Sequence, residues 1–269
     1  GTKMFSKNRY SRSARVVEFR ELMQVQAETN TAAMKDWKKN PPNYVAAALV
    51  EAGETLEHLD FKWWKGRKAY SQPNLAQARM ELVDILHFLI SDILANYVFD
   101  DVNNASYEGA EADRMQITAE IFSTVDEATP EVDVEIAADH LINCMGYLAL
   151  NPIDIDVWKS WMSAVNCLGM TWSEVYGMYL GKAALNRFRW SNGYGSEYIK
   201  EWDGREDNEY LSEIIEAYRA RNVQLDLDLL MKTLNINYKV FAQRTFSSED
   251  ANLNSEMLET ETGKVIILK

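Results

Sequence analysis

The sequence predicts an all-α protein, a helical bundle that ends in a small and partly β C-terminal tail. From about residue 13 to residue 222, apolar residues recur with the period of an α-helix. Hydrophobic residues make up 47% of the chain, a fraction typical of proteins with a packed core. The chain has five prolines, and each falls between two helical runs: Pro41, Pro42, Pro73, Pro130 and Pro152.

The periodicity predicts a series of helices separated by short connections. Asn43 follows two prolines and is the predicted N-cap of the second helix. The segment 100–109 (DDVNNASYEG) is polar and is predicted to be a loop. The predicted helices span residues 13–36, 43–62, 74–98, 112–126, 131–149, 154–168, 171–190 and 206–222.

The C-terminal residues differ from the rest of the chain. We predict a helical domain over residues 1–222, followed by an appendage of unknown role over residues 223–269. Within the appendage, residues 223–234 are predicted to form a short helix. Residues 235–246 (NINYKVFAQRTF) and 263–269 (GKVIILK) alternate or cluster β-branched and aromatic residues, so they are candidates for a small hairpin.

Composition restricts the classes of function. The net charge of −13 disfavours general nucleic-acid binding, and a polyphosphate ligand would need metal ions and a local cluster of lysine and arginine. No apolar run reaches the ~18–20 residues that span a bilayer, so no membrane partner is expected. Cys144 and Cys167 lie in apolar, helical stretches. Two buried free thiols favour the cytoplasm or another reducing intracellular compartment.

Acidic residues occur where the helical pattern predicts apolar ones. Glu51 and Glu54 are three residues apart and therefore share a face of the helix 43–62, which His58 extends. The helix 74–98 is apolar almost all round, which marks it as a buried central helix. Its polar exceptions fall within a sector of about 140°. They are Glu81, Asp84, His87, Ser91 and Asp92.

A carboxylate on a buried helix must be paired or must bind a metal ion. The two acidic helices are adjacent in sequence, so an antiparallel hairpin would bring their polar faces together. Oxygen-only ligation suits Mg²⁺ or Mn²⁺ rather than zinc. The alternative interpretation is that both faces are simply solvated, because E-x-x-E and E-x-x-D occur on many helices.

Two basic segments are candidates for nucleotide contacts. Trp63 and Trp64 lie beside Lys62 and Lys65, where they offer a base-stacking surface next to cations or, alternatively, an aromatic anchor at a helix end. The second segment spans residues 181–211 and carries side chains suited to phosphate oxygens and a base edge, although it would also fit a solvated helix face with a turn. Its candidates are Lys182, Asn186, Arg189, Tyr194, Tyr198 and Lys200.

Together these motifs resemble the three motif blocks of the dimeric, all-α dUTPases. The blocks are EAGETLEHLDFKWWK, MELVDILHFLISD and KAALNRFRWSNGYGSEYIKEWDGREDN. That family belongs to the all-α NTP pyrophosphatase superfamily, whose signature is E-x-x-E, a gap and E-x-x-D. Here 26 residues separate Glu54 from Glu81, which is compatible with that signature.

The resemblance implies an activity, a cofactor and an assembly. The activity is hydrolysis of dUTP to dUMP and diphosphate, and of dUDP to dUMP and phosphate, by a metal-activated water that attacks the β-phosphorus. The cofactor is two or three Mg²⁺ ions, for which Mn²⁺ could substitute, and the assembly is a homodimer. Glu51 or Glu54 would accept the proton of the water. The implied metal ligands are Glu51, Glu54, Glu81 and Asp84.

The resemblance also implies substrate-binding residues. Trp63, His87 and Phe88 would form the pocket for uracil and deoxyribose, and Asn186 would contact the base edge. Gln26 and Asn30 would also contact the base, with Gln24 as a rival. Lys182, Arg189, Tyr194 and Lys200 would hold the phosphates, and Lys62 and Tyr198 are further substrate-binding candidates.

Three alternatives remain open at the level of sequence. The nearest is a pyrophosphatase for dCTP, or for both dCTP and dUTP, because the orientation of an amide that reads the base is invisible in sequence. The second is a di-iron carboxylate bundle, since Asp84 and His87 echo the E-x-x-H ligand pairs of such proteins, although no Glu-x-x-His occurs in this chain. The third is a non-catalytic helical regulator.

Overall fold

The structure is a computed structural model that describes residues 2–66, 73–96, 107–245, 255–260, 263 and 265–269. In these ranges it is mostly helical, which confirms the predicted fold class. The α-helices are α1 (Thr2–Ala33), α2 (Tyr44–His58), α3 (Leu75–Asn96), α4 (Tyr107–Ser123), α5 (Val134–Leu150), α6 (Ile155–Cys167), α7 (Trp172–Ser191), α8 (Asp207–Ala220) and α9 (Leu227–Asn237).

Short elements complete the described part of the chain. A 3₁₀ turn spans Trp63–Lys65, and a π-helix spans Tyr238–Gln243. Four strands pair as two antiparallel hairpins, β1 with β2 and β3 with β4. The strands are β1 (Glu201–Trp202), β2 (Arg205–Glu206), β3 (Glu256–Glu259) and β4 (Val265–Leu268).

Side-chain caps fix where several helices begin. The Asn43 side chain accepts a hydrogen bond of 2.9 Å from the backbone N–H of Ala46, which confirms the predicted cap of α2. Asp133 caps α5 in the same way, with its carboxylate 3.1 Å from the N–H of Ile136. The start of α2 therefore follows from a local sequence signal.

The chain divides into two compact units, and the first spans Gly1–Tyr176. Its centre is α3, which packs against α1, α2 and α6 and is buried along most of its length, as predicted. The indole of Trp161 on α6 donates a hydrogen bond of 3.0 Å to the carbonyl of Leu82. An aromatic cluster of Phe19, Phe122 and Trp158 packs α1, α4 and α6 together.

The second unit spans Gly177–Lys269. Its aromatic core includes Phe188, Trp202 and Tyr238. The buried side chain of Asn237 donates to the carbonyl of Ile267 at 2.8 Å and accepts from its N–H at 2.9 Å, which ties α9 to β4. The predicted domain boundary at residue 222 stays a prediction.

The structure corrects the predicted strand over 235–246. Residues 235–243 form the end of α9 and the π-helix, Phe246 lies outside the described residues, and the partner of β4 is β3. Leu230, Leu234 and Tyr238 are four residues apart and are all buried, as on one face of a helix. The alternation of Ile236 and Tyr238 in the sequence had suggested a strand instead.

Other sequence predictions need smaller corrections. The first helix begins at Thr2 rather than at residue 13. Tyr107–Gly109, predicted as loop, belongs to α4, and the rest of the predicted loop, 100–106, lies outside the described residues. Cys144 is buried as expected, whereas Cys167 is only half-buried because it ends α6. In the described part of the chain, no helix has the length and apolarity needed to cross a membrane.

Candidate metal and nucleotide site

Three carboxylates from α2 and α3 meet at one place. Glu51 lies on α2, and Glu81 and Asp84 lie one turn apart on α3. One carboxylate oxygen from each residue lies within 4.8 Å of the other two. The packing of α2 against α3 thus brings together the two acidic faces that the sequence predicts. We call this group the acidic trio.

The acidic trio is electrostatically unfavourable without a cation. Burial raises the pKa of Glu51 well above its usual range, and a hydrogen bond with Glu81 and the negative charge of Asp84 raise it further. Within the described residues, the buried Oε2 atom of Glu51 has no hydrogen-bond partner. A divalent cation would satisfy this oxygen and offset the repulsion, so the donor set fits a metal that prefers oxygen ligands.

Two further residues of the predicted acidic stripe flank the acidic trio. Glu54 is exposed and is not among the three converging carboxylates, although its charge contributes to the raised pKa of Glu51. The Nε2 atom of His58 lies 3.5 Å from Oε1 of Glu81. The structure therefore brings together three of the four predicted metal ligands and leaves the fourth at the rim.

A chain of hydrogen bonds joins α1 to α3 next to the acidic helix face. Nδ1 of His87 lies 2.6 Å from Oε1 of Gln26, whose Nε2 donates to Oδ1 of Asn30 at 2.7 Å. Asn30 in turn donates to the hydroxyl of Ser91 at 2.9 Å. The rival candidate Gln24 is exposed and donates to Glu28 instead.

Phe88 lies beside an aromatic residue that sequence reasoning did not select. Its ring stacks on Tyr44 of α2, with centroids 6.4 Å apart and an interplanar angle of 29°. Burial, with the charge of Asp92, raises the pKa of the Tyr44 phenol to about 12, so this phenol stays protonated at neutral pH. Its position just after the N-cap of α2 carried no functional signal.

The aromatic-basic segment after α2 is open to solvent. The side chains of Trp63 and Trp64 are 70% and 64% exposed, and their rings meet edge to face at 5.8 Å. Lys62 donates a hydrogen bond to Glu57, so its charge is partly offset. Two adjacent exposed indoles form an apolar surface of the kind that ligand or partner sites use.

In the second unit, Arg189 is held by a carboxylate that sequence reasoning missed. Asp207 accepts hydrogen bonds from Nε and Nη2 of Arg189 and from the hydroxyl of Tyr198. Burial alone would lower the pKa of Arg189, but the Asp207 carboxylate more than reverses this effect and raises it. Burial and Asp207 together raise the pKa of Tyr198. Asp207 lies in the EDN run of the third motif block, which was its only sequence signal.

The other candidates of this unit differ in burial and in partners. Lys182 is buried and donates to Oδ1 of Asn208 at 3.0 Å. The guanidinium of Arg189 lies 5.6 Å from the ring centroid of Tyr194. Lys200 is exposed and lies 3.8 Å from Glu206, while Asn186 is half-buried on α7.

Comparison with protein families decides the identity. A family model described as dUTPase matches residues 18–194, which is more than half of the chain. The chain belongs to the dUTPase family. It is a dUTP diphosphatase, and its helical fold agrees with the all-α branch of these enzymes. No curated protein matches the sequence.

The family match covers some of the candidate residues of this dUTPase and not others. It includes the acidic trio, Gln26, Asn30 and the α7 residues, and it ends at Tyr194, before Tyr198 and Lys200. Membership in an enzyme family also overturns the alternative of a non-catalytic regulator. It places the acidic trio in a dUTPase rather than in a di-iron protein.

Proposed function

We propose that the enzyme hydrolyses dUTP to dUMP and diphosphate, and dUDP to dUMP and phosphate, in a reaction that requires Mg²⁺. The observation that carries this proposal is the acidic trio. Its oxygens lie within 4.8 Å of one another, and one oxygen of Glu51 is buried without a hydrogen-bond partner among the described residues. Carboxylates in this arrangement are suited to a hard divalent cation.

The chain's carboxylates would hold the metal. Glu51, Glu81 and Asp84 are the proposed inner ligands, and Glu54 is the proposed fourth. The number of ions that we propose, two or three, is the one that the family resemblance implies. Oxygen-only donors favour Mg²⁺, with Mn²⁺ as a substitute. When bound, Mg²⁺ would neutralise charge on the phosphate oxygens and lower the pKa of water.

The protein side chains would then position the water and the substrate. Glu51 or Glu54 accepts the proton of the water that attacks the β-phosphorus. Glu51 can do so only when its own pKa has been lowered by a cation, because burial and Glu81 keep it protonated otherwise. Glu54 is exposed and is accessible from solvent.

We also assign individual residues to nucleotide binding. Gln26, Asn30, Trp63, His87, Phe88 and Asn186 would contact the base or the sugar. The residues assigned to the phosphates are Lys62, Lys182, Arg189, Tyr194, Tyr198 and Lys200. Because Asp207 occupies Nε and Nη2 of Arg189, the edge that includes Nη1 is the one that we assign to phosphate.

Substitution of one trio carboxylate tests the metal assignment. Glu81→Gln keeps the shape of the side chain but removes the charge, so Mg²⁺-dependent release of diphosphate from dUTP should be lost while the helical circular dichroism signal remains. Glu120→Gln, which changes an exposed carboxylate of α4, is the matched control and should keep wild-type turnover. Wild-type turnover by Glu81→Gln, or full activity of the wild type in chelator, would refute the proposal.

A panel of nucleotides tests the substrate assignment. We expect turnover of dUTP and dUDP, and much slower turnover of dCTP and dTTP, under the same Mg²⁺ concentration. The dCTP alternative predicts a greater rate for dCTP than for dUTP. Equal rates would mean that the enzyme is a dual pyrophosphatase.

We further infer a homodimer, in line with the family resemblance. Sedimentation equilibrium should then give a mass about twice the 30.9 kDa of one chain. A mass close to that of a single chain at micromolar concentration would contradict this inference.

We place the enzyme in the cytoplasm or another reducing intracellular compartment. Both of its cysteines are free, which suits a reducing compartment. Separately, the net charge of −13 argues against nucleic acid as a partner. Mass spectrometry of protein alkylated directly in cell lysate should find both thiols reduced.

A further inference from the structure

The hydrogen-bond chain between α1 and α3 runs in one direction, and that direction is set by Ser91. The Ser91 hydroxyl donates to the backbone carbonyl of His87 at 2.7 Å, and a carbonyl can only accept. A hydroxyl has one proton, so the Ser91 oxygen can only accept from Asn30, which approaches it with its Nδ2 at 2.9 Å. Ser91 is 1% exposed, so water does not compete for this proton.

Each later member of the chain follows from this first bond. Because Nδ2 of Asn30 faces Ser91, its Oδ1 faces Gln26 and must accept from the amide nitrogen of Gln26, at 2.7 Å. The Oε1 atom of Gln26 then faces His87, so Nδ1 of His87 must carry a proton, at 2.6 Å. One hydroxyl proton thereby fixes two amide orientations and one imidazole tautomer.

The reversed chain is sterically equivalent, since an amide flip exchanges oxygen and nitrogen with little change of shape. Reversal would require Ser91 to donate to Asn30, and the bond from its hydroxyl to the His87 carbonyl would be lost. The Ser91 hydroxyl therefore favours the observed direction over the reversed one. It lies on α3 and need not touch substrate.

The direction of the chain matters because uracil and cytosine differ by an exchange of donor and acceptor. Uracil presents an N–H at position 3 and an oxygen at position 4, whereas cytosine presents a bare nitrogen and an amino group. An amide that suits one base must be flipped to suit the other. A site that leaves a buried polar group unpaired with the wrong base discriminates strongly against it.

We propose that Ser91 is a specificity-determining, positioning residue: its hydroxyl locks Asn30, Gln26 and His87 in the orientation that accepts uracil and rejects cytosine. The inference rests on the proposed function in one respect, namely that Gln26 and Asn30 contact the base. The orientation itself follows from contacts between α1 and α3 and needs no bound nucleotide.

Ser91→Ala tests whether the hydroxyl fixes these orientations, with two readouts. The first is the tautomer of His87, measured without nucleotide by ¹⁵N NMR of the three histidines. The wild type should show a protonated Nδ1, and the variant a mixture of both tautomers. The second is the ratio of kcat/KM for dUTP to that for dCTP, which should fall about 10-fold in the variant, the loss of roughly one hydrogen bond.

Two further variants make the test specific. Ser91→Thr keeps the hydroxyl and should restore the wild-type tautomer and ratio, because Thr29, Thr31 and Thr55 make the same bond to the carbonyl four residues earlier. Ser160→Ala removes an equivalent buried hydroxyl bond on α6 and should change neither readout.

Several results would overturn the inference. They are an unprotonated Nδ1 in the wild type, an unchanged tautomer in Ser91→Ala, or a changed tautomer with an unchanged substrate ratio. Failure of the proposed metal-dependent function would be seen instead in the Glu81→Gln and chelator experiments. The NMR readout needs neither metal nor turnover, so the two failures are distinguishable.

Discussion

Asp207 accepts two parallel hydrogen bonds from Arg189, of 2.8 Å from Nε and 2.7 Å from Nη2, although the carboxylate has no exposed surface. The hydroxyl of Tyr198 donates to the same carboxylate at 2.6 Å, and the backbone N–H of Asn208 donates at 2.8 Å. A buried carboxylate with this many donors fixes the rotamer of Arg189 and the loop that carries Tyr198. Asp207 thus links three residues of the third motif block.

Removal of Asp207 should destabilise the protein strongly. Asp207→Ala leaves a buried guanidinium without its partner, and breaking a buried pair in this way costs about 3–5 kcal/mol of unfolding free energy. Urea denaturation followed by circular dichroism measures the change. Asp228→Ala removes the exposed carboxylate that pairs with Lys232, and as the control it should change stability little. Equal stability of the two variants would argue against a structural role for the buried pair.

The acidic trio should make the metal-free enzyme less stable as pH rises. The pKa of Glu51 is raised above its ordinary 4.5, so between these values the folded protein holds a proton that the unfolded chain has released. Stability therefore falls as pH increases from about 4.5 towards the raised pKa. Glu51→Gln removes this penalty. At pH 8 in chelator the variant should be more stable than the wild type by about 1–2 kcal/mol, after allowance for the partial solvent screening of Glu51.

Two controls accompany the Glu51 experiment. At pH 4 the wild type and Glu51→Gln should have similar stability, because the carboxyl is then protonated in both states. With millimolar Mg²⁺ at pH 8 the wild type should gain stability and the variant much less, by mass action of the bound ion. A variant that is less stable than the wild type in chelator at pH 8 would contradict the account of an uncompensated charge cluster.

The sequence predicted the elements that carry the acidic trio because the relevant signals are local. Asn43 caps α2, and the apolar pattern of α3 identifies it as central, so the two helices were placed within a few residues of their observed bounds. The spacing of Glu81 and Asp84 on one helix face also depends only on helical geometry. Their approach to Glu51 was expected because the two helices are adjacent in sequence and can pack as an antiparallel hairpin.

What the sequence did not reveal depends on contacts between distant residues. Ser91 was visible only as one polar residue on an apolar helix, and its role depends on Asn30 of α1. Ile236 and Tyr238 alternate as in a strand, yet the burial of Leu230 and Leu234 keeps this segment helical. A short apolar run fits the period of a helix and that of a strand equally well. Burial in the tertiary structure then decides which of the two forms.

Trp63 should contribute to substrate binding but little to stability. Its side chain is 70% exposed, so truncation removes few contacts from the folded protein. If the indole stacks on uracil, Trp63→Ala should raise KM for dUTP about 10-fold, from the ~1–3 kcal/mol of one stacking contact. Trp64→Ala is a matched control, because Trp64 is 64% exposed and is not assigned to the pocket. Equal KM values for the two variants would remove Trp63 from the pocket.

The two cysteines should differ in reactivity because they differ in burial. Cys144 has no exposed surface, and burial raises the pKa of its thiol to about 12, so almost none of it is thiolate at pH 8. Cys167 is half-buried; burial and the charges of Asp133 and Glu131 raise its pKa as well, but reagents can reach it. Reaction with Ellman's reagent at pH 8 should label one thiol in the native protein and the second only in denaturant. Cys167→Ser should abolish the native reaction. If it persists in that variant, Cys144 is accessible through local opening of the contact between α5 and α6, and its burial is not maintained in solution.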